Sequence, residues 1–188
     1  MINYNSLYNK SPTVFGARPS DLAKNVLQLA SDTCGKTILD LGAGQGRDSA
    51  FFASNGFTVT AVEKSQTAFI QLSKLKPALA VINADIMSYE YEKGIFDVIF
   101  ANNVLHILER AKAEAVLKKM TESVTYGGLI AVSVLEGDNR ITKDAIREAT
   151  RECKTLYLVD EEIIDHGHPG EPLPHKHKVF RIIAQKVV

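Results

Sequence analysis

Tryptophan is missing altogether, cysteine occurs only twice, and neither sign of charge is in excess: 22 basic residues face 22 acidic ones among 188. That balance removes the electrostatic case for a nucleic-acid or membrane partner, which a basic face would make. Cys34 and Cys153 lie far apart and form no C-x-x-C, so a reduced, cytoplasmic compartment is the expectation. The opening "MINYNSLYNK" lacks the charged start and apolar stretch of a signal peptide. No apolar run approaches the roughly 18 residues that a membrane helix needs. Repeats, low-complexity tracts and dividing linkers are also missing, so one domain over 1–188 is expected. What is present is a composition 45% hydrophobic and 23% charged, that of a globular chain able to bury a core.

Strand-like and helix-like segments alternate along it. "KTILDL" is a short apolar run, "RDSAFFASNG" reads as a helix closed by Gly56, and "FTVTAVE" is β-branched and strand-like. "SQTAFIQLSKLK" opens on a capping serine, Ser65, and stops before Pro77. "ALAVINAD" and "FDVIFANN" read as two buried strands. From Glu109 to Val124, Ala113, Val116, Leu117, Met120 and Val124 recur at helical spacing, with Gly127-Gly128 as the stop. "GLIAVSVL" is a fifth strand. The alternation predicts a parallel sheet covered on both faces. The last third breaks the pattern: "TKDAIREATREC" reads as a helix, and "DEEIIDHGH" and "HKVFRIIAQKVV" flank a Pro/Gly-rich turn, which predicts an antiparallel pair finishing the sheet. Residues 1–18, polar and aromatic, are expected to lie over one face as a lid.

"LDLGAGQGRDSA" carries the chemistry. Its glycines, Gly42, Gly44 and Gly46, alternate, whereas a dinucleotide-binding turn reads G-x-G-x-x-G. Asp40 precedes the first glycine by two positions, at a strand's carboxyl end. A carboxylate there repels a diphosphate and receives an ammonium, so the loop suits a zwitterionic ligand, and S-adenosylmethionine (SAM) has that character. Glu63 ends the second strand about 20 residues on, where a carboxylate accepts both ribose hydroxyls. Asp85 follows the third strand, placed for the adenine amine, with Ile86 against the ring. Asn102 and Asn103 follow the fourth. Ala43 in the loop and Lys64 beside Glu63 complete the candidate cofactor contacts. All stand at strand ends on one edge, where open α/β sheets bind their ligands.

"LDLGAGQGRDS", "VEKSQTAF", "NADI" and "FDVIFANNVLHIL" resemble the successive motifs of class I SAM-dependent methyltransferases, over roughly residues 36–135. "FGARPS" and "HGHPGEPLPHKHKV" further resemble the tellurite-resistance branch, although Lys176 and Lys178 stand where that branch carries arginines. The resemblance implies a Rossmann-like, seven-stranded, mostly parallel sheet with the strand near Val179–Gln185 antiparallel between its neighbours. It also implies SAM as cofactor and a small-molecule acceptor, a chalcogen oxyanion or a thiol. A soft nucleophile of that kind needs no general base, and no base with a partner stands out. A non-enzymatic SAM- or metal-binding protein, or an NAD-dependent oxidoreductase, are the alternatives.

Other residues carry two readings each. Asn102 and Asn103 line the site or simply end a strand. His106 is a catalyst or a packing residue. Arg18, Tyr4 and Tyr8 touch cofactor or acceptor, or tether the N-terminus. His166, His168, His175 and His177, with Lys176 and Lys178, gather around one turn as a solvated turn, an acceptor pocket able to attract an anion, or a zinc site.

Overall fold

The computed structural model describes residues 3–33, 36–75, 79–165 and 174–187. Strands β1 (Thr37–Leu41), β2 (Thr58–Val62), β3 (Ala80–Ile82), β4 (Phe96–Asn102), β5 (Val124–Leu135), β6 (Cys153–Asp165) and β7 (His175–Lys186) form one sheet. Their order is β3-β2-β1-β4-β5-β7-β6. Neighbours from β3 to β5 pair in parallel. β7 lies antiparallel between β5 and β6, as expected, and contains Val179–Gln185. The chain leaves β1 toward β2 and β3, then returns to set β4 on β1's other side. That reversal opens a crevice beyond the carboxyl ends of β1 and β4.

β1, β4 and the second half of β5 are buried nearly throughout because both faces of the sheet are covered there. Alternate residues serve opposite faces. Ile38, Val98, Phe100, Ala131 and Ile183 pack with helices α2 (Asp21–Thr33), α3 (Arg47–Ser54) and α4 (Gln66–Leu72). Leu39, Leu41, Ile99, Val132 and Ile182 pack with α5 (Arg110–Ser123) and α6 (Lys143–Ala149). Phe52 of α3 meets Phe100 and Phe57 edge-on at 5.1 and 5.5 Å between ring centres. A short helix, α1 (Tyr4–Tyr8), precedes them. Among the described residues no helix is long and apolar enough to cross a membrane.

The structure departs from the sequence-based expectation at four points. β3 is a three-residue edge strand with Ile82 37% exposed, not a buried strand, because only β2 pairs with it. α5 ends at Ser123, and Gly127-Gly128 lie inside β5 rather than stopping the helix. There the β4–β5 register slips between Phe96 and Val98. Gly127 takes φ +77°, and a Cβ on Gly128 would stand 2.7 Å from the Asp97 carbonyl oxygen. The glycines are demanded by the slip, not by a helix end. β6 begins at Cys153, well before "DEEIID". Finally, α2 is a helix outside the predicted alternation, although Ser20 caps it by accepting from the Ala23 amide at 3.1 Å and Asp21 opens its first turn.

Candidate cofactor and acceptor site

The glycine loop joins β1 to α3 in left-handed steps: Gly42, Gly44 and Gly46 have φ of +66°, +56° and +85°. Side chains at two of these positions would strike protein. A Cβ on Gly42 would stand 2.4 Å from Val104 Cγ2, and one on Gly46 would stand 2.2 Å from Leu72 Cδ1. At Gly44 the nearest atom is the Tyr8 hydroxyl at 3.0 Å. The glycines therefore serve close packing of the loop on β4's extension, on α4 and on α1.

Where the loop's amides go decides what it can bind. Gly42 and Ala43 donate to the Val62 carbonyl, at 2.8 and 3.1 Å, and Gly46 donates to Ala43 at 3.0 Å. The Gly44 amide donates to Glu63 Oε2 at 2.8 Å. All four are spent inside the protein, so none of these amides is free to meet a diphosphate.

Acidic groups stand beside this loop. Asp40 is 3% exposed, and the Ser49 hydroxyl donates to its Oδ2. Burial, partly offset by Ser49 and reinforced by Asp48 and Glu63, pushes its carboxyl up to about 7. Glu63, 7% exposed, also has Oε1 accepting from the Ser65 amide at 2.6 Å. Burial raises its pKa against the pull of these amides. Each Glu63 oxygen keeps a lone pair beyond the one an amide uses. Asp85 Oδ2 accepts from Lys64 Nζ and Oδ1 from the Met87 amide, at 2.6 and 3.0 Å. Partial burial would lift its pKa, but the ammonium and the amide bring it below the ordinary value. Ile86, next to Asp85, is 5% exposed and also belongs to the core cluster.

Beyond β4, Asn102 donates through Nδ2 to Asp48 Oδ2 at 3.0 Å. Asn103 takes φ +55° and is held by Ser133, whose Oγ donates to its Oδ1 at 2.9 Å. A non-glycine residue in that region costs about 1–3 kcal/mol and persists only where its surroundings enforce it. His106 follows in a 3₁₀ turn, Leu105–Ile107, with its Nδ1 buried and, among the described residues, without a partner. Burial first, then the Arg140 and His177 charges, lowers its pKa to about 4. The ring is neutral at pH 7.

The N-terminal segment lies on this edge. Asn5 Oδ1 accepts from Ser65 Oγ at 2.6 Å, and Gln71 donates to the Tyr8 carbonyl at 3.3 Å. Gln45, inside the glycine loop, accepts from the Val14 amide and donates to the Ser11 carbonyl, at 2.9 and 2.7 Å. Arg47 donates to the Phe15 carbonyl, and the Ser20 amide donates to Asp48, at 2.9 and 2.8 Å. Tyr8 is 6% exposed. Burial and then the Glu63 charge raise the pKa of both Tyr4 and Tyr8. Arg18 is exposed. Gln45, Arg47, Asp48 and Arg140 carry no signal in the sequence motifs, although the first three sit beside the glycines and could be suspected from that place alone.

The C-terminal cluster is only partly gathered. His175 and His177 share a face of β7 with their Nε2 atoms 2.8 Å apart, while Lys176 and Lys178 alternate onto the other face. Lys176 is paired with Glu162 at 2.7 Å. His166 and His168, like Cys34, lie outside the described residues. Among the described residues no group of three or more ligating side chains could hold a metal.

These features go together: a doubly wound sheet, a glycine loop whose Gly42, Ala43, Gly44 and Gly46 amides are bonded internally, and buried acidic residues at the strand ends. The model of the methyltransferase domain family matches residues 38–128. TehB of Haemophilus influenzae, a probable S-adenosyl-L-methionine-dependent methyltransferase, is 32% identical over 95 residues, which span 48% of this chain and 33% of TehB. Malonyl-[acyl-carrier protein] O-methyltransferase of Salmonella typhimurium is 26% identical over 135 residues, 71% of this chain and 53% of that protein. The chain thus spans a third to a half of these curated relatives. The solved TehB structure superposes with a TM-score of 0.74 at 20% identity, over 87% of this chain and 62% of TehB. A Burkholderia thailandensis 1,6-didemethyltoxoflavin-N1-methyltransferase, solved with S-adenosylhomocysteine, gives 0.65 at 19% identity, over 89% and 77%. The chain is thus similar to SAM-dependent methyltransferases, in sequence over residues 38–128 and in fold over most of its length.

Proposed function

We propose that this chain methylates a small molecule that is nucleophilic in its own right, a thiol or a chalcogen oxyanion, in a site covered by residues 1–18. The carrying observation is the division of labour at the sheet edge: the Gly42, Ala43, Gly44 and Gly46 amides are internally bonded, while buried Asp40 and Glu63 are the acidic groups beside that loop. That donor set fits SAM. Asp40 suits its ammonium and Glu63 its ribose hydroxyls. Asp85 and Ile86 suit the adenine. Gly42, Ala43, Gly44, Gly46, Lys64 and Asn102 shape the same wall.

Bound SAM supplies a methyl group on a sulfonium that is already an activated leaving group, so the protein's task is alignment. Asn103 and Ser133 stiffen the end of β4. Tyr4 and Tyr8 remain protonated at neutral pH, since burial and Glu63 raise both pKa values, so they keep water out without adding charge. His106 is too weak a base at pH 7 to deprotonate an alcohol or amine. This supports an acceptor that needs no base. The small molecule bound to the Burkholderia methyltransferase, 1,6-didemethyltoxoflavin, and the likeness to TehB support the same class.

Calorimetric titration tests the proposal. SAM and S-adenosylhomocysteine should bind and NAD should not; tighter NAD binding overturns it. Glu63→Gln should weaken SAM by about 1.5–3 kcal/mol, the worth of hydrogen bonds to a charged group. Unchanged affinity would move the ribose elsewhere. A turnover screen with labelled SAM against tellurite, selenite, thiols and small amines then identifies the acceptor, and methylation of protein or RNA alone would refute the assignment.

A further inference from the structure

A second cleft, of about 510 Å³, opens on the same edge of the sheet, between the start of α5 and the loop from β5 to α6. Glu109, Arg110, Gly137, Asn139, Arg140 and Thr142 line it. Both of its walls follow parallel strands at their carboxyl ends, where the glycine loop, Glu63 and Asp85 also stand. Arg140 joins the two regions, for its charge is felt by Tyr4 of the N-terminal segment and by His106.

Arg140 differs from the other arginines. Arg47 pairs with Asp48, Arg110 with Glu114, Arg151 with Glu148 and Arg181 with Glu161. Arg147 lies over the Phe180 ring, and Arg18 is exposed. The guanidinium of Arg140 is half-buried and, among the described residues, has no ion pair and no side-chain hydrogen bond. The one acidic side chain lining the cleft, Glu109, is engaged by Lys112 at 3.0 Å. The loop also holds the Arg140 backbone in a turn and brings its side chain back over Gly137. Asn139 takes φ +57°, and the Arg140 amide donates to Gly137 at 3.3 Å. The Arg140 side chain lies across the glycine, with Cδ, Nε and Cζ 3.2–3.5 Å from where a Cβ on Gly137 would stand. A partly desolvated guanidinium presents a planar fork that matches two coplanar oxygens. A cleft of this size falls within the range of sites for organic ligands and exceeds what a bare chalcogen oxyanion fills.

We propose that this cleft binds the methyl acceptor and that Arg140 grips a carboxylate of that acceptor, making it an organic carboxylate rather than a neutral molecule or a bare oxyanion. This rests on the methyltransferase reading for the word acceptor, while carboxylate binding at Arg140 stands separately. The probes are 3-mercaptopropionate and 2-mercaptoethanol, two thiols that differ in the carboxylate. Arg Nε–H resonances of labelled protein, with S-adenosylhomocysteine present, should move with 3-mercaptopropionate and not with 2-mercaptoethanol. Arg140→Met should weaken 3-mercaptopropionate at least tenfold, while Arg151→Met, at an exposed pair, should leave it unchanged. In turnover with SAM, the preference of kcat/KM for the charged thiol should fall by about the same factor. SAM affinity, titrated separately, should be the same in Arg140→Met and wild type, which also reports that the variant is folded. Equal 3-mercaptopropionate affinity in Arg140→Met, or a wild-type protein that does not distinguish the two thiols, overturns the proposal. Wild-type protein that binds 3-mercaptopropionate through Arg140 but fails to bind SAM refutes the methyltransferase reading and leaves the carboxylate site standing.

Discussion

The carboxyl edge of the sheet has two halves built on opposite terms. Beyond β1, β2 and β3, polar groups are bonded to one another: glycine-loop amides to Val62 and Glu63, Glu63 to Ser65, Asp85 to Lys64. Beyond β4 and β5, Asn102 and Asn103 are also bonded, to Asp48 and Ser133, but His106 Nδ1 is without a partner among the described residues, and the Arg140 fork makes no ion pair there. The first half is a preassembled wall, whose shape is set before a ligand arrives. The second keeps polar capacity in hand, as a surface that receives a variable molecule must. Preassembly lowers the cost of binding, and unspent polar groups make recognition depend on what the ligand brings.

Titration contrasts the halves with the largest expected effect. Asp40 has its pKa raised from 3.8 to about 7 by folding. Its contribution is therefore present below about pH 4 and lost as pH rises through 7, a swing of roughly 4 kcal/mol at 1.36 kcal/mol per unit. His106 runs the other way. Folding lowers it from 6.5 to about 4, so its contribution, roughly 3 kcal/mol, is present above pH 6.5 and lost as pH falls toward 4. The two nearly cancel in between. Denaturant unfolding between pH 4.5 and 7.5 should show a shallow profile for the wild type. Asp40→Asn should lose stability steeply on acidification, and His106→Gln should gain it. Parallel profiles in all three would show that neither group titrates as placed.

Gly42→Ala strikes the first half through its backbone. A left-handed alanine adds about 1–3 kcal/mol, and the β-branched Val104 side chain at 2.4 Å has little freedom to yield. We expect a loss of about 3 kcal/mol in unfolding free energy. Gly94 also has positive φ but nothing within 4 Å of a Cβ, so Gly94→Ala should cost about 1 kcal/mol. Equal costs would mean that the loop relaxes and the wall is not rigid. Ser65→Ala is the mildest cut. It removes the N-cap of α4 and the bond to Asn5, for about 1 kcal/mol. Amide exchange should then quicken over residues 4–9 more than in β1. Unchanged exchange there would detach the N-terminal segment from this anchor.

Legibility follows the same division. Asp40, Glu63 and Asp85 can be found from the sequence because each stands at the end of a short apolar run, and strand ends on one edge are where such a sheet binds. The glycines are visible as a loop, but their cause is not. They make room for Val104, Leu72 and Leu75, residues up to 62 positions away in the chain. α2 carries a start signal in Ser20 and Asp21, yet lies ahead of the first strand and so outside the alternation. Gly127-Gly128 mislead, since a glycine pair after a helix looks like a stop whether or not a strand's register slips there.

The amino-acid order by itself determined the alternation of strands and helices, the antiparallel finish and the acidic strand ends. Those depend on periodicity and on neighbours a few residues apart. Only the tertiary structure decided where each polar group spends its hydrogen bonds: Gly44 on Glu63, Asn102 on Asp48, the N-terminal backbone on Gln45, and Arg140 on no side chain among those described. These pairings join residues distant in the chain, and no local pattern encodes them. An aspartate or arginine has the same letter whether it is satisfied within the fold or left to meet a ligand, and the packing of the whole sheet edge makes that choice.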